Sequence, residues 1–376
     1  MIIRRLIQSN VEKKLFKKKA IVIYGPRQSG KTTLIREIQK QYKNSALYLN
    51  CDEPDIRLAL TNCTSTKLKD LIGEKKIVFI DEAQRVENIG LTIKLAVDNF
   101  PKIQFVATGS SSFDLSNKIS EPLTGRKYEF YLFPFALEEL SSIYSPLEIK
   151  RNIEKELIFG MYPDVILRTN EAETIIKEIS ISYLYQDVLQ YQQIKNSDIL
   201  QKLLQALALQ IGKEVSYNEL ANLLNIDKKT VGRYVDLLEK SYVIFPLKPF
   251  SRNLRSELIK MRKIYFWDLG VRNALINNFN PFNLRTDTGE IWENFLIMER
   301  IKHNYNHGLN KNIYFWRTHQ QQEIDYIEDQ GGILHGFEFK WSKKQAKCPI
   351  IWKNTYQNST FTTINQENYL PFVGVK

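Results

Sequence analysis

Cysteine is scarce in this chain of 376 residues. Cys51, Cys63 and Cys348 are too few and too scattered for a disulfide framework or a paired-cysteine metal site. Glycine (16) and proline (12) are low enough to argue against collagen-like or low-complexity character. No run approaches the roughly 18 apolar residues of a membrane-spanning helix. The opening MIIRRLIQSN lacks the apolar core and small-residue cleavage site of a secretory leader. Together these absences point to a reducing cytoplasmic setting and no membrane partner. Histidine is rare as well, at four residues. His303 and His307 have metal-ligand spacing, but their polar run KHNYNHG reads as a solvated helix end.

The composition is that of a folded protein, with 43% hydrophobic and 25% charged residues, and the length suits two to four domains. Lys and Arg outnumber Asp and Glu by 53 to 42, a net charge of +11. Such a balance favours an anionic partner without choosing among nucleic acid, phosphate and an acidic surface.

Short apolar runs alternate with helical periods through the first 140 residues: AIVIY (20–24), ALYLN (46–50), KIVFI (76–80) and QFVATG (104–109). This pattern predicts a parallel α/β sheet. Helical Glu/Lys/Leu-rich sequence covers 141–195, and three short amphipathic segments with a β-rich tail cover 196–265. Residues 266–376 mix strands with one good helix, 289–302.

Residues Gly25-Pro26-Arg27-Gln28-Ser29-Gly30-Lys31-Thr32 fit the G-x-x-x-x-G-K-[ST] phosphate loop, with Thr33 opening the helix behind it. Backbone N–H groups and a helix N-terminus can cradle phosphate there. Lys31 can reach the terminal phosphates of ATP, and the Thr32 hydroxyl can hold Mg2+. An apolar strand ends in Asp81-Glu82 some 50 residues on, which places Asp81 to hold Mg2+ and Glu82 to orient water. Thr108 or Ser110, ending a further strand, can sense the γ-phosphate, and Arg126 can supply charge to the transferred phosphoryl group. Adjacent acids after the strand favour hydrolysis over a small-molecule kinase.

SYNELANLLNI (216–226) and DKKTVGRYVDLLEK (227–240) read as a helix-turn-helix with Ser216 and Asp227 as N-caps and a hairpin wing after Tyr242. The third helix would expose Lys228, Lys229, Thr230 and Arg233. The following run, 248–263, has six basic residues and one acid, which suits contacts to DNA phosphates.

Near the C-terminus, EIDYI (323–327) and GFEFK (336–340) flank the turn DQGG. Pairing Glu328 with Ile333 would set Asp325 opposite Gly336 and diagonal to Glu338, so that Asp325, Glu338 and Lys340 converge beside a glycine that leaves room for a metal. Two carboxylates can hold Mg2+ or Mn2+ against a phosphodiester, with a lysine steadying charge.

GPRQSGKTTL, VFIDEAQRV, TGSSS, LTGRKYEFYLFPF and GMYPDVIL together resemble the prokaryotic AAA-type P-loop ATPases that carry a C-terminal domain of unknown function. The resemblance implies an additional-strand P-loop sheet with a helical lid. Thr/Ser at the sensor position departs from the Asn of many remodelling motors. The C-terminal pattern resembles the PD-(D/E)xK nuclease core, with Asp325, Glu338 and Lys340 matching its D…ExK set and Glu293 its additional acid. The expected fold is therefore α/β: a P-loop domain (1–140), a lid (141–195), a winged helix-turn-helix (196–265) and a nuclease-like domain (266–376). The expected activity is ATP hydrolysis coupled to DNA binding, with metal-dependent cleavage as its extension. The alternative is a nucleotide-gated switch for a protein partner, whose C-terminal domain does not cleave. A homo-oligomer would let Arg126 act on a neighbouring subunit, and the sequence leaves that open.

Overall fold

The computed structural model describes residues 2–109, 122–183, 197–251, 262–318 and 320–376. Five strands, β1 (Ala20–Tyr24), β2 (Ala46–Asn50), β3 (Ile77–Asp81), β4 (Gln104–Gly109) and β5 (Lys127–Tyr131), form a parallel sheet in the order β2-β3-β4-β1-β5. Strands β1, β3 and β4 are buried along their whole length, which is why they read as unbroken apolar runs. The four strands expected from the sequence are present within one residue. The fifth, β5, was legible only as a motif, because KYEFY alternates polar and apolar residues at the sheet's edge.

The order places β4 between β1 and β3, so the phosphate loop after β1 and the acids after β3 emerge at the same end of the sheet. Arg126 precedes β5, whose Lys127 lies beside Ala20 at the start of β1. It therefore sits at the opposite end, about 13 Å of strand away from the loop. There it pairs with Asp98 at 2.6 Å. The expectation that Arg126 supplies charge to its own chain's phosphoryl group is corrected by this strand direction.

Three helices follow, Pro146–Phe159, Pro163–Leu167 and Ala172–Tyr183. They do not stand apart as a lid. Helix Leu269–Leu275 packs against the first and third, and Asp268 accepts the Met161 N–H at 2.7 Å. Helix Ser197–Leu209 leads to β6 (Glu214–Val215), helices Tyr217–Leu224 and Lys228–Lys240 come next, and β7 (Ile244–Leu247) and β8 (Arg262–Phe266) complete a three-stranded sheet ordered β6-β8-β7. Ser216 and Asp227 cap their helices as expected, accepting from the N–H groups of Glu219 and Thr230. Val231, Val235 and Leu238 face inward, while Lys228, Lys229 and Arg233 are exposed. The connection at 252–261, most of the basic run, lies outside the described residues.

The C-terminal region is a sheet of β9 (Asn312–Arg317), β10 (Glu323–Gln330), β11 (Ile333–Phe339) and β12 (Ser359–Ile364), ordered β12-β11-β10-β9. Helix Thr288–Asn306 packs on it and reaches back to the first domain. Phe133 of the first domain stacks on Trp267 after β8, 4.2 Å between centroids, so one apolar core runs through all regions.

Glu156 is buried in that core with its Oε2 unpartnered, and burial, reinforced by Glu299, pushes its pKa up to about 8. A carboxyl held protonated by folding binds more protons folded than unfolded, so stability falls as pH rises from its ordinary value near 4.5 to about 8. Glu156→Gln should remove that fall. Urea denaturation between pH 5 and 9 is expected to show the variant gaining on the parent up to about pH 8 and the gain levelling off above it, and parallel curves from pH 5 to 8 would contradict it.

Candidate nucleotide and carboxylate sites

The phosphate loop closes tightly because Gly25 backs onto β5's exit. A Cβ there would meet the Leu132 carbonyl oxygen at 2.1 Å. Gly30 caps the loop helix Lys31–Lys40 in the left-handed region, at φ 94°. Ser29 is buried and its hydroxyl donates to the Pro26 carbonyl at 2.8 Å. Lys31 is buried too, with Nζ donating to the carbonyls of Gly25 (2.9 Å) and Pro26 (2.7 Å), so its ammonium sits within the loop. Arg27, Gln28, Thr32 and Thr33 lie along its rim.

Asp81 gathers the strand ends. It accepts the hydroxyls of Thr32 at 2.8 Å and Tyr48 at 2.6 Å on one oxygen and that of Thr108 on the other. Glu82 follows with left-handed backbone, φ 52°; its N–H donates to the Thr108 hydroxyl and its carboxylate accepts from Gln84. Lys31, Thr32, Asp81, Glu82 and Thr108 are thus brought together as the sequence predicts, and Ser110 lies outside the described residues. A metal-ligating set of one hydroxyl and one carboxylate, already 2.8 Å apart, suits Mg2+.

Two residues of this site escaped the sequence reading. Tyr48 on β2 carries Arg36 over its ring at 3.4 Å, and burial with Asp81 nearby holds its phenol well above the usual range. Arg5 is the other. Its guanidinium donates to the Ser29 carbonyl (2.7 Å), the Phe133 carbonyl (2.6 Å) and Glu139 (3.0 Å), bracing the loop from outside. Alternation along β2 places Tyr48 on a face with Ala46 and Asn50, a signal too weak to single it out. An N-terminal arginine carries no motif at all. Beside the loop lies a cleft of about 490 Å³ lined by Ile3, Arg4, Thr33, Leu34, Glu37 and Pro163.

A second polar cluster joins the C-terminal sheet to the three-stranded one. Observed pairing is Gln330 to Ile333 and Ile327 to Gly336, which corrects the expected register by two residues. The turn is tighter than expected because Gly331 and Gly332 both take positive φ, and the Asp329 carboxylate accepts the Gly332 N–H. Asp325 consequently falls in the row of Glu338, with its Oδ2 accepting the Phe339 N–H at 2.8 Å. The space beside Gly336 is taken by Ile324, whose methyls lie 3.3 Å from where a Cβ on that glycine would stand.

Glu293, Asp325 and Glu338 do converge. Burial, then Glu293 and Glu338, pushes the Asp325 carboxyl well above the usual range. Lys340 donates to Glu338 at 2.8 Å, yet the other oxygen of Glu338 is buried without a partner. Lys263 was the surprise. Its basic run suggested solvent and phosphate, but it is buried and its Nζ lies 3.0 Å from Glu293, in contact with Glu323 and 4.0 Å from Asp325. Tyr265 also donates to Glu293 at 2.5 Å. The chain itself thus supplies the cation that balances these acids, and the arrangement as it stands does not fit a divalent metal between them.

Comparison with known proteins matches three segments of the chain. Residues 17–141 match the family profile described as an AAA domain. Residues 150–281 and 288–350 match two profiles described as domains of unknown function, DUF8612 and DUF4143. Residues 17–141 are thus similar to an AAA domain, and the five-stranded parallel sheet is consistent with a P-loop fold. The chain is similar to the uncharacterized protein MJ1544 of Methanocaldococcus jannaschii, 27% identical over 86% of this chain and 75% of the relative. It is similar at the same 27% to the uncharacterized protein Rv2008c of Mycobacterium tuberculosis, over 90% of this chain and 74% of that protein. The Walker-type ATPase PABY2304 of Pyrococcus abyssi shares the fold, with a TM-score of 0.50 and 17% identity over 73% of this chain and 96% of that one. No helix among the described residues is long and apolar enough to cross a membrane.

Removing one partner of a buried ionic cluster strands the others, at about 3–5 kcal/mol. Lys263→Met should lower unfolding free energy by that order in urea. Adding Asp325→Asn should recover part of it, and strictly additive losses would show that the two do not interact.

Proposed function

We propose that the chain is a Mg2+-dependent ATPase whose nucleotide state is coupled to a DNA-contacting domain. The observation that carries the reading is the hydrogen bond from Thr32 to Asp81, which joins the phosphate loop to the acidic strand end beside the Lys31 ammonium. In this reading Lys31 meets the terminal phosphates, and Thr32 with Asp81 holds Mg2+, which neutralises charge on the phosphates. The cleft beside Thr33 takes the nucleobase and ribose. Glu82 orients a water and accepts its proton as the water oxygen bonds to the γ-phosphorus and the bond to the ADP oxygen breaks. Thr108, bonded to both Asp81 and the Glu82 N–H, registers whether the γ-phosphate is present.

The elements at 197–266 form three helices and a β6-β8-β7 sheet, which supports a winged helix-turn-helix. Exposed Lys228, Lys229 and Arg233 on its third helix would meet DNA phosphates. The order helix, three strands, helix, strand in the C-terminal region, with Glu293, Asp325, Glu338 and Lys340 on one site, supports a nuclease-like fold. Lys263 favours the reading in which this domain gates or binds rather than cleaves, since cleavage by Asp325, Glu338 and Lys340 would require that lysine to leave.

Lys31→Ala is expected to abolish ATP binding in calorimetry, and Glu82→Gln to keep binding while slowing hydrolysis by about a hundredfold; ATP affinity retained by Lys31→Ala contradicts the site. Duplex DNA at moderate salt should stimulate the parent's hydrolysis. Lys229→Ala with Arg233→Ala should weaken duplex binding and flatten its salt dependence. Hydrolysis indifferent to DNA, with affinity unchanged across a salt series, would replace DNA by a protein partner.

A further inference from the structure

The polar run KHNYNHG is the end of helix Thr288–Asn306, and His307 there is exposed as expected. The helix continues to Asn306, which places His303 and His307 one turn apart on one face, the second at the helix end. That face meets Glu138, on the short helix Leu137–Leu140 that closes the AAA domain. His303 Nδ1 lies 2.8 Å from one Glu138 oxygen and His307 Nε2 lies 2.7 Å from the other. One donor atom from each of the three residues falls within 4.8 Å of the other two. No other group of three His, Cys, Asp or Glu among the described residues meets that condition.

Two further observations bear on what this trio holds. Glu138 is mostly buried, and its ion-pair partners among the described residues are these two imidazoles, with no lysine or arginine. Gly374, near the chain's end, packs directly over them with φ +88°. A Cβ there would stand 2.3 Å from His303 Nδ1 and 2.6 Å from a Glu138 oxygen. Glycine at this point keeps the space beside the donor atoms clear.

We propose that Glu138, His303 and His307 form a zinc site that fastens the AAA domain to the C-terminal helix. Two imidazole nitrogens and one carboxylate oxygen are a three-ligand zinc set, with water completing the tetrahedron. Donor atoms within 4.8 Å need only small adjustments to reach the spacing of about 3.3 Å that bonds of about 2 Å require. Both facing nitrogens then coordinate through their lone pairs, and each ring carries its proton on the far nitrogen, so the present N–H bonds to Glu138 give way to the metal. The hard cations of the nucleotide site compete poorly for imidazole. The site couples to the phosphate loop through the chain. Glu139, the next residue, is bound by Arg5, and Arg5 holds the Ser29 carbonyl.

The test uses the full chain freed of metal with a chelator and titrated with zinc chloride in calorimetry, with magnesium chloride as control. One zinc per chain is expected, with a raised melting temperature. His307→Gln, at a half-exposed position that spares the fold, and Glu138→Gln should each weaken zinc binding at least tenfold. His335→Gln, in β11 and bonded to Thr360, should bind like the parent. Cobalt should give the intense visible absorption of tetrahedral coordination in the parent and lose it in His307→Gln. Absence of stoichiometric zinc binding, or binding of equal strength in His307→Gln and Glu138→Gln, overturns the proposal.

Discussion

The buried contact of Arg5 with Glu139 is the joint on which the two halves of the chain depend. One guanidinium reaches the phosphate loop at Ser29, the exit of β5 at Phe133 and the helix at Glu139, and it lies over the Phe135 ring at 4.8 Å. Glu139 accepts in addition the N–H groups of Leu6 and Ala136. A charge with so many fixed partners cannot be withdrawn singly without stranding the rest, and stranded buried charges cost several kcal/mol. Segment 133–140 is thus immobilised from the loop's side. From the other side helix Thr288–Asn306 grips the same segment, since Glu299 accepts the Leu137 N–H and Lys302 donates to the Phe135 carbonyl.

That helix is the physical link between the two polar sites. Its 19 residues make a rod of about 28 Å, and Glu293 lies ten residues, or about 15 Å, before His303. A shift of segment 133–140 relative to the loop would be carried along the rod to Glu293, which bonds Lys263 and Tyr265 of β8. Because β8 pairs with β7, the strand that follows the third helix, the basic face at Lys228, Lys229 and Arg233 and the carboxylates of the C-terminal sheet meet through a single buried lysine. Coupling of this kind needs two arrangements of a packed element, and an ammonium shared among three carboxylates is a contact that can be made or broken as a unit.

Much of the first site was legible because its chemistry is local. The loop, Asp81-Glu82 and Thr108 each end an apolar strand, and parallel strands bring their ends together without further information. Arg126 shows the limit of that logic: its motif looked catalytic, but only the direction of β5 reveals which end of the sheet it occupies. Asp325 shows another limit. The residue types were correct, but pairing depended on two glycines with positive φ, and a turn shortened by two residues moved Asp325 from beside Gly336 to beside Glu338. Lys263 was misread because charge in a basic run says nothing of burial. Its partners are Glu293, Glu323 and Asp325, 30 to 62 positions away in sequence.

The two sites differ in how negative charge is met, and that difference bears on what each can do. Asp81 is buried among the hydroxyls of Thr32, Tyr48 and Thr108, neutral groups that can rotate and leave a carboxylate oxygen free for an incoming cation. Glu293, Glu323 and Asp325 are met by a fixed ammonium whose own charge is kept by them against the cost of burial. A cation that comes and goes with nucleotide belongs at the first. At the second, an internal lysine makes metal entry conditional on movement of β8, so any chemistry there would be subordinate to the position of the domain that carries the basic helix.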